Sequence, residues 1–196
     1  MTTAATARGR RTRERLLEAT AELVATRGFH AVAITDIGGA AGVTGSAIYR
    51  HFASKQDLLV ALLDRVVGEL LAGARTVVDS TPRASDALDA LVTTHVDFAL
   101  RDRNLIRVYD QEADHLPAAD RRRIRRAMRA YAEQWVRVLR TVRPDVDDAA
   151  ARTAVHAAFG LVNSVADYRS PLTDAQLRNL LVSMTLAALM DPGARA

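Results

Sequence analysis

With 196 residues, 49% of them hydrophobic, and a formal net charge of +4, the chain is long enough to bury a sizeable core and only mildly basic. It has no cysteine, which excludes a disulfide framework, thiolate zinc sites and a thiol nucleophile. No apolar run approaches the roughly 18 residues needed to span a bilayer, and the arginine-rich start lacks a following apolar segment, so a cytoplasmic protein without membrane contact is expected.

Residues Met1 to Gly9 are small, polar and without periodicity, which predicts a disordered arm turning cationic through Arg8, Arg10, Arg11, Arg13 and Arg15. From about Thr12 to Arg27 the spacing of Leu16, Leu17, Thr20, Leu23 and Val24 predicts a helix with a wide apolar stripe, closed by Gly28. Two short helices meeting at a glycine follow between Ile34 and Lys55. Thr35 is expected to cap the first, Gly42 to end it, and Thr44 or Ser46 to cap a second that runs to about Phe52. Ile37, Val43, Ile48 and Phe52 form the seam, leaving Thr44, Gly45, Ala47, Tyr49, Arg50 and His51 outward. A slim helix start with a hydroxyl and cations further along suits a DNA major groove, so the pair reads as a helix-turn-helix. Ser54 to Asp57 has the pattern of a capping box for a long helix reaching about Val78. Further helices are expected at about 83–101, 103–115, 118–143, 147–169 and 173–190, with the five prolines between or just beyond them. No segment alternates with period two, so no sheet is predicted.

The order T-D-I, A-G-V-T, I-Y-R-H-F and S-K-Q-D-L-L, over roughly Arg13 to Leu63, resembles the DNA-binding domain of the TetR family of transcriptional repressors. The resemblance implies an all-α chain of about nine helices: a three-helix DNA-binding domain at residues 10–53 and a larger ligand-binding and dimerisation domain at 54–196. It also implies that the second helix of the pair reads DNA and that Tyr49 and Lys55 bind phosphates. Lys55 is the only lysine; the other cations among the 27 are arginine. The candidate DNA contacts are therefore Thr35, Thr44, Gly45, Ser46, Ala47, Tyr49, Arg50, His51 and Lys55, with Arg11 and Arg13 (and Arg10) supporting them from the arm. Gly38 and Gly39 are expected to weaken the first helix by about 1 kcal/mol each relative to alanine.

In the C-terminal part, His95, Phe98, Tyr109, Gln111, Met128, Tyr131, Trp135, His156, Phe159 and Asn163 are polar or aromatic residues at inward positions, the candidates to touch a ligand among residues that otherwise fill a core. The helix from Asp147 is apolar on two faces. With the last helix it suggests an intersubunit four-helix bundle built from Ala154, Ala157, Ala158, Leu161, Val165, Leu177, Leu181 and Met184. The arginines at 121, 122, 123, 125, 126 and 129 read as a solvated face, or as partners of an anionic inducer such as an acyl-CoA. Glu112 and His115 have the E-x-x-H spacing of di-iron bundles, but there is no second pair, and G-x-S-x-G, H-E-x-x-H and phosphate-cradling loops are missing. Neither a catalytic residue nor a metal or cofactor is assigned. The sequence reads as a homodimeric, ligand-responsive regulator of double-stranded DNA, a repressor acting at a palindromic operator and released by a hydrophobic or amphipathic small molecule of acyl-CoA or lipid-like kind. The alternatives are an activator, a regulator without an inducer, and a helical metal protein or enzyme.

Overall fold

The computed structural model describes residues 2–191, and all of their side chains except those of residues 2–6, 45 and 46. Among them the ordered elements are all helical: α1 (Thr2–Arg27), α2 (Ile34–Ala40), α3 (Gly45–Ile48), α4 (Lys55–Ser80), α5 (Ala84–Arg101), α6 (Arg103–Glu112), α7 (Ala118–Val142), α8 (Asp148–Asn163) and α9 (Asp174–Met190). Short 3₁₀ turns, Ala113–His115 and Ser164–Ala166, extend α6 and α8. None of these helices is long and apolar enough to cross a membrane.

The chain forms two compact units. One comprises Met1–Val66 with Arg107–Ile124, the other Val67–Ile106 with Arg125–Ala196. The expected boundary at residue 53 does not coincide with this division. Leu58, Leu59, Leu62 and Leu63 at the start of α4 are fully buried, so the first turns of that helix are core for the first unit, which also takes in residues 107–124.

In the first unit, α1 packs on α2 and α2 on α3. Leu16, Leu17 and Val24 are completely buried, as is Thr20, whose hydroxyl donates to the Leu16 carbonyl at 2.6 Å and so costs the core no unpaired donor. The expected disordered arm is instead the beginning of α1, which starts at Thr2. Its alanines are strong helix formers, and they continue a helix already nucleated by the buried stripe. The turns after α1 and α2 are made by Gly28 (φ +79°) and Gly42 (φ +65°), in the left-handed region where a side chain is strained. Thr35 does not cap α2, because the helix begins one residue earlier. The Asp36 carboxylate reaches back to the Ala33 N–H at 3.2 Å and pairs with Arg27 at the same distance. α3 ends at Ile48, short of the expected Phe52.

The second unit is built on contacts of α5 with α9, α8 with α9 and α5 with α8. Leu88, Leu91, Val92, Trp135, Leu139, Val155, Val162 and Leu181 belong to its core. Capping is local and strong: Asp147 accepts from the Ala150 N–H at 2.7 Å, and Thr173 and Gln176 satisfy each other's backbone donors at the start of α9. Arg143 donates to the Asp191 carbonyl at 2.6 Å, placing a cation at the C-terminal end of α9, where the helix dipole favours it. A bidentate pair, Arg178 with Asp97 at 2.5 and 3.0 Å, ties α9 to α5.

Candidate functional site

In the first unit the α2–turn–α3 pair carries the surface expected to meet DNA. Its geometry depends on Gly38. A Cβ at that position would lie 2.7 Å from Ile48 Cδ1 and 3.0 Å from the Val43 carbonyl oxygen, so α2 and α3 approach closely here and a side chain would require Ile48 and the turn at Val43 to shift. The glycine that looked like a helix weakness lies at this close approach.

Thr44 opens α3 with extended backbone (φ −71°, ψ 151°), and its carbonyl accepts from the Ala47 N–H at 2.9 Å. Tyr49, 58% exposed, and Arg50 point outward from its end, and His51 is half-buried. Ala47 is not outward: it is 8% exposed, beside the fully buried Ile48, and so has little surface for a base edge. The exposure of Gly45 and the side chain of Ser46 are not among what the structure describes. Thr35 is exposed on the first turn of α2.

The cationic residues of α1 border the same surface. Arg8, Gly9, Thr12, Val43, Ala47, Arg50 and His51 line one groove, and Arg10, Arg11 and Arg13 are exposed. The Arg13 guanidinium also lies 5.1 Å from the centre of the Phe52 ring, a cation–π contact that holds it near α3. Lys55 is committed within the unit. Its ammonium donates to the carbonyl oxygens of Phe29 and Val32, each at 2.8 Å, which leaves one of its three N–H groups for solvent or phosphate. Sequence reasoning missed this brace, since its partners lie 26 and 23 residues upstream.

The expected ligand residues divide between the units. Tyr109 and Gln111 fall in the first, with Gln111 exposed and its carbonyl 3.1 Å from His115 Nδ1. The other eight are in the second, where five of them form one aromatic cluster. The His95 ring centre is 4.9 Å from Phe159, 5.7 Å from Trp135, 5.9 Å from Tyr131 and 6.2 Å from Phe98. Tyr131 stacks on Phe159 at 5.3 Å. His95 Nδ1 is 3.1 Å from the Tyr131 hydroxyl. Burial lowers the His95 pKa to about 4, with the Asn163 side chain acting in the opposite sense, and burial raises that of Tyr131. Met128 and Asn163 are half-buried, and His156 is exposed with its ring 6.2 Å from Phe159.

Of the expected dimer residues, Ala158, Val165, Leu177 and Leu181 are buried in the chain's own core. Ala154 and Leu161 are half-buried, and Ala157 and Met184 are exposed. The apolar face that remains uncovered on α9 includes Leu180 (45% exposed), Met184 (46%) and Met190, with Tyr168 and Leu172 exposed in the segment before it. The last helix is apolar nearly all round, and periodicity alone does not say which side faces inward.

The arginine run is partly structural. Arg121 donates to the Asp114 carbonyl at 2.7 Å, and Arg123 bridges Asp64 of α4 and Asp120. Arg122, Arg125, Arg126 and Arg129 are exposed on the same helix. Glu112 is buried and His115 exposed, and no group of three metal-ligating side chains occurs among the described residues.

The family model for bacterial regulatory proteins of the tetR family matches residues 16–62, and the tetracyclin repressor-like C-terminal domain matches residues 81–190. The HTH-type transcriptional repressor KstR2 of Rhodococcus jostii is 34% identical over 113 residues, 58% of this chain, and the match spans 54% of that relative, about half its length. KstR2 of Mycobacterium tuberculosis is 31% identical over 69% of this chain and 71% of its own. The solved structure of that ketosteroid transcriptional regulator superposes with a TM-score of 0.75 at 28% identity, covering 89% of this chain and 93% of the other. The regulator FadR of Bacillus subtilis, solved in complex with stearoyl-CoA, shares the fold (TM-score 0.71, 19% identity, 89% of this chain and 98% of the other).

Proposed function

Because the chain belongs to the TetR family of bacterial transcriptional regulators, we propose that it is a ligand-responsive repressor that binds a palindromic double-stranded operator as a homodimer in the cytoplasm. The observation that carries this reading is the α2–turn–α3 pair, closely packed at Gly38, which presents Thr44, Tyr49 and Arg50 on a surface bordered by the arginines of α1. Tyr49 and the arginines Arg11, Arg13 and Arg50 bind phosphates and set the register on the duplex. Thr44 and Ser46, nearer the start of the recognition helix, reach base edges. Lys55 contributes its remaining N–H to a phosphate while holding the turn after α1.

The exposed apolar side chains Leu180 and Met184, with the small exposed Ala157 and Gly160 of α8, form the face on which a second copy packs. Two recognition helices are then held about 34 Å apart, one helical turn of DNA. The effector is a hydrophobic or amphipathic molecule bound in the second unit around the His95–Tyr131–Trp135–Phe159 cluster. Relatives named for ketosteroid and fatty-acid regulation, and a fold neighbour solved with an acyl-CoA, support that class. A ligand that favours the form with weaker DNA affinity by about 100-fold weakens operator binding by up to the same factor.

The test is a mobility-shift assay on the DNA flanking the gene, over a salt series and with and without hydrophobic metabolites. Sequence-specific, salt-sensitive binding that such a metabolite releases is the expected result. Binding that is indifferent to every metabolite would remove the sensor half of the proposal and leave the DNA-binding half.

A further inference from the structure

The E-x-x-H spacing of Glu112 and His115 does not make a pair in the structure, because Glu112 is buried and His115 exposed. His115 instead meets a residue distant in sequence. Its ring centre lies 6.4 Å from that of His30, in the turn after α1, with the two planes at 84°. Both residues belong to the first unit, and both are exposed.

The backbone beneath each ring is braced. Lys55 donates to the carbonyls of Phe29 and Val32, which flank His30, each at 2.8 Å. Phe29 is buried, and its ring meets that of His30 edge-on at 5.4 Å. On the other side, Arg121 donates to the Asp114 carbonyl at 2.7 Å and the Gln56 amide to the His115 carbonyl at 3.5 Å. Two imidazoles therefore stand next to each other at the surface on a supported frame.

Their chemistry follows from one hydrogen bond. His115 Nδ1 is 3.1 Å from the Gln111 carbonyl oxygen. A carbonyl oxygen only accepts, so Nδ1 carries the proton and the neutral ring keeps its lone pair on Nε2. Metal-bound imidazoles are arranged in this way, the second nitrogen donating to a backbone carbonyl that aims the ring. Two imidazoles sharing one ion, with N–metal bonds of about 2.1 Å, have ring centres roughly 5–6.5 Å apart. The observed spacing lies at the upper end of that range, so small rotations of two exposed side chains suffice. Imidazole nitrogens suit zinc, nickel and copper, whereas magnesium takes oxygen ligands.

We propose that His30 and His115 form a surface site for a divalent transition-metal cation, bound through one imidazole nitrogen of each, Nε2 in the case of His115, with water completing the coordination. The ion links the turn in front of α2 to the corner between α6 and α7 inside one unit. Nothing in this site depends on the effector proposed for the second unit.

The untagged full chain is titrated with Zn²⁺ and, separately, with Mg²⁺, by calorimetry and by thermal denaturation. Zn²⁺ should saturate at one ion per subunit. At a free concentration a hundredfold above Kd it should raise the thermal midpoint by about 5 °C, since the ion binds the folded pair and not the separated residues. Mg²⁺ should do neither. His30→Ala and His115→Ala should each weaken zinc binding at least about tenfold, because even the groups behind a metal ligand are worth that much. His156→Ala, which removes another exposed histidine, should leave zinc binding unchanged. Denaturation without metal shows that each variant folds.

Undiminished zinc affinity in either His30→Ala or His115→Ala would overturn the proposal. So would equal uptake of Mg²⁺, or the lack of saturable zinc binding at millimolar concentration. Each of these outcomes leaves operator binding and its release, measured without added metal, as they were.

Discussion

Lys55 and Phe29 are joined twice: the ammonium donates to the Phe29 carbonyl at 2.8 Å and lies 4.4 Å from the centre of the Phe29 ring. With the second bond to the Val32 carbonyl, a cation at the start of α4 closes the turn that leads from α1 into α2. Lys55→Met should therefore lower the stability of the chain by about 2 kcal/mol, the scale of charge-assisted bonds lost to buried carbonyls. The slope of log operator affinity against log salt should fall by less than one per subunit, since most of the ammonium's capacity is spent inside the protein. Denaturation curves and a salt titration measure the two effects separately. Unchanged stability with a slope reduced by a full unit would make Lys55 a phosphate contact and nothing else.

Neighbouring glycines in α2 should respond in opposite directions. A Cβ added at Gly39 would meet nothing within 4 Å, and the residue has no positive φ, so Gly39→Ala should stabilise the chain by roughly 0.5–1 kcal/mol through the unfolded state and helix propensity. Gly38→Ala meets Ile48 and the Val43 carbonyl, and overpacking of about 1–3 kcal/mol exceeds that gain. It should also weaken operator binding by displacing α3. Equal thermal midpoints for the two variants would contradict the close approach of α2 and α3.

His95 makes stability depend on pH. Its folded pKa of about 4 lies below the unfolded value near 6.5, so the unfolded chain takes up a proton that the folded one refuses as pH falls between these values. The contribution is complete above pH 6.5 and lost towards pH 4, and about 2 kcal/mol should be gone at pH 5. His95→Phe should lose that much less between pH 7 and pH 5 in denaturant titrations. Parallel losses in wild type and variant would assign the pH dependence to other groups.

Leu180 and Met184 are 45% and 46% exposed, so glutamate at both positions is compatible with a folded subunit. A carboxylate buried unpaired in an interface opposes association by several kcal/mol, and Leu180→Glu/Met184→Glu should sediment as a monomer. Operator affinity should drop with it, since a monomer engages one half-site. A variant that stays dimeric would place the interface elsewhere.

Features settled within a few residues along the chain were legible without coordinates. The helical class follows from periodicity, the positive-φ turns from Gly28 and Gly42, and the helix starts from Ser54 with Asp57, Asp147 with Ala150 and Thr173 with Gln176, because a cap and its target are three residues apart. The helix-turn-helix was legible for the same reason. Packing settled the rest. Which carbonyls receive Lys55 and that residues 107–124 join the first unit are set by segments distant in sequence, and the close approach at Gly38 and the burial of Ala47 by how the helices pack. The aromatic residues around His95 were identifiable as inward, yet the contact of the Tyr131 hydroxyl with His95 Nδ1 was not, since satisfaction of a polar group depends on what other helices bring to it. On α8 and α9 an apolar stripe wide enough for two faces left the choice of outward face to the tertiary contacts: the core took Ala158, Val165, Leu177 and Leu181 and left Leu180 and Met184 in solvent.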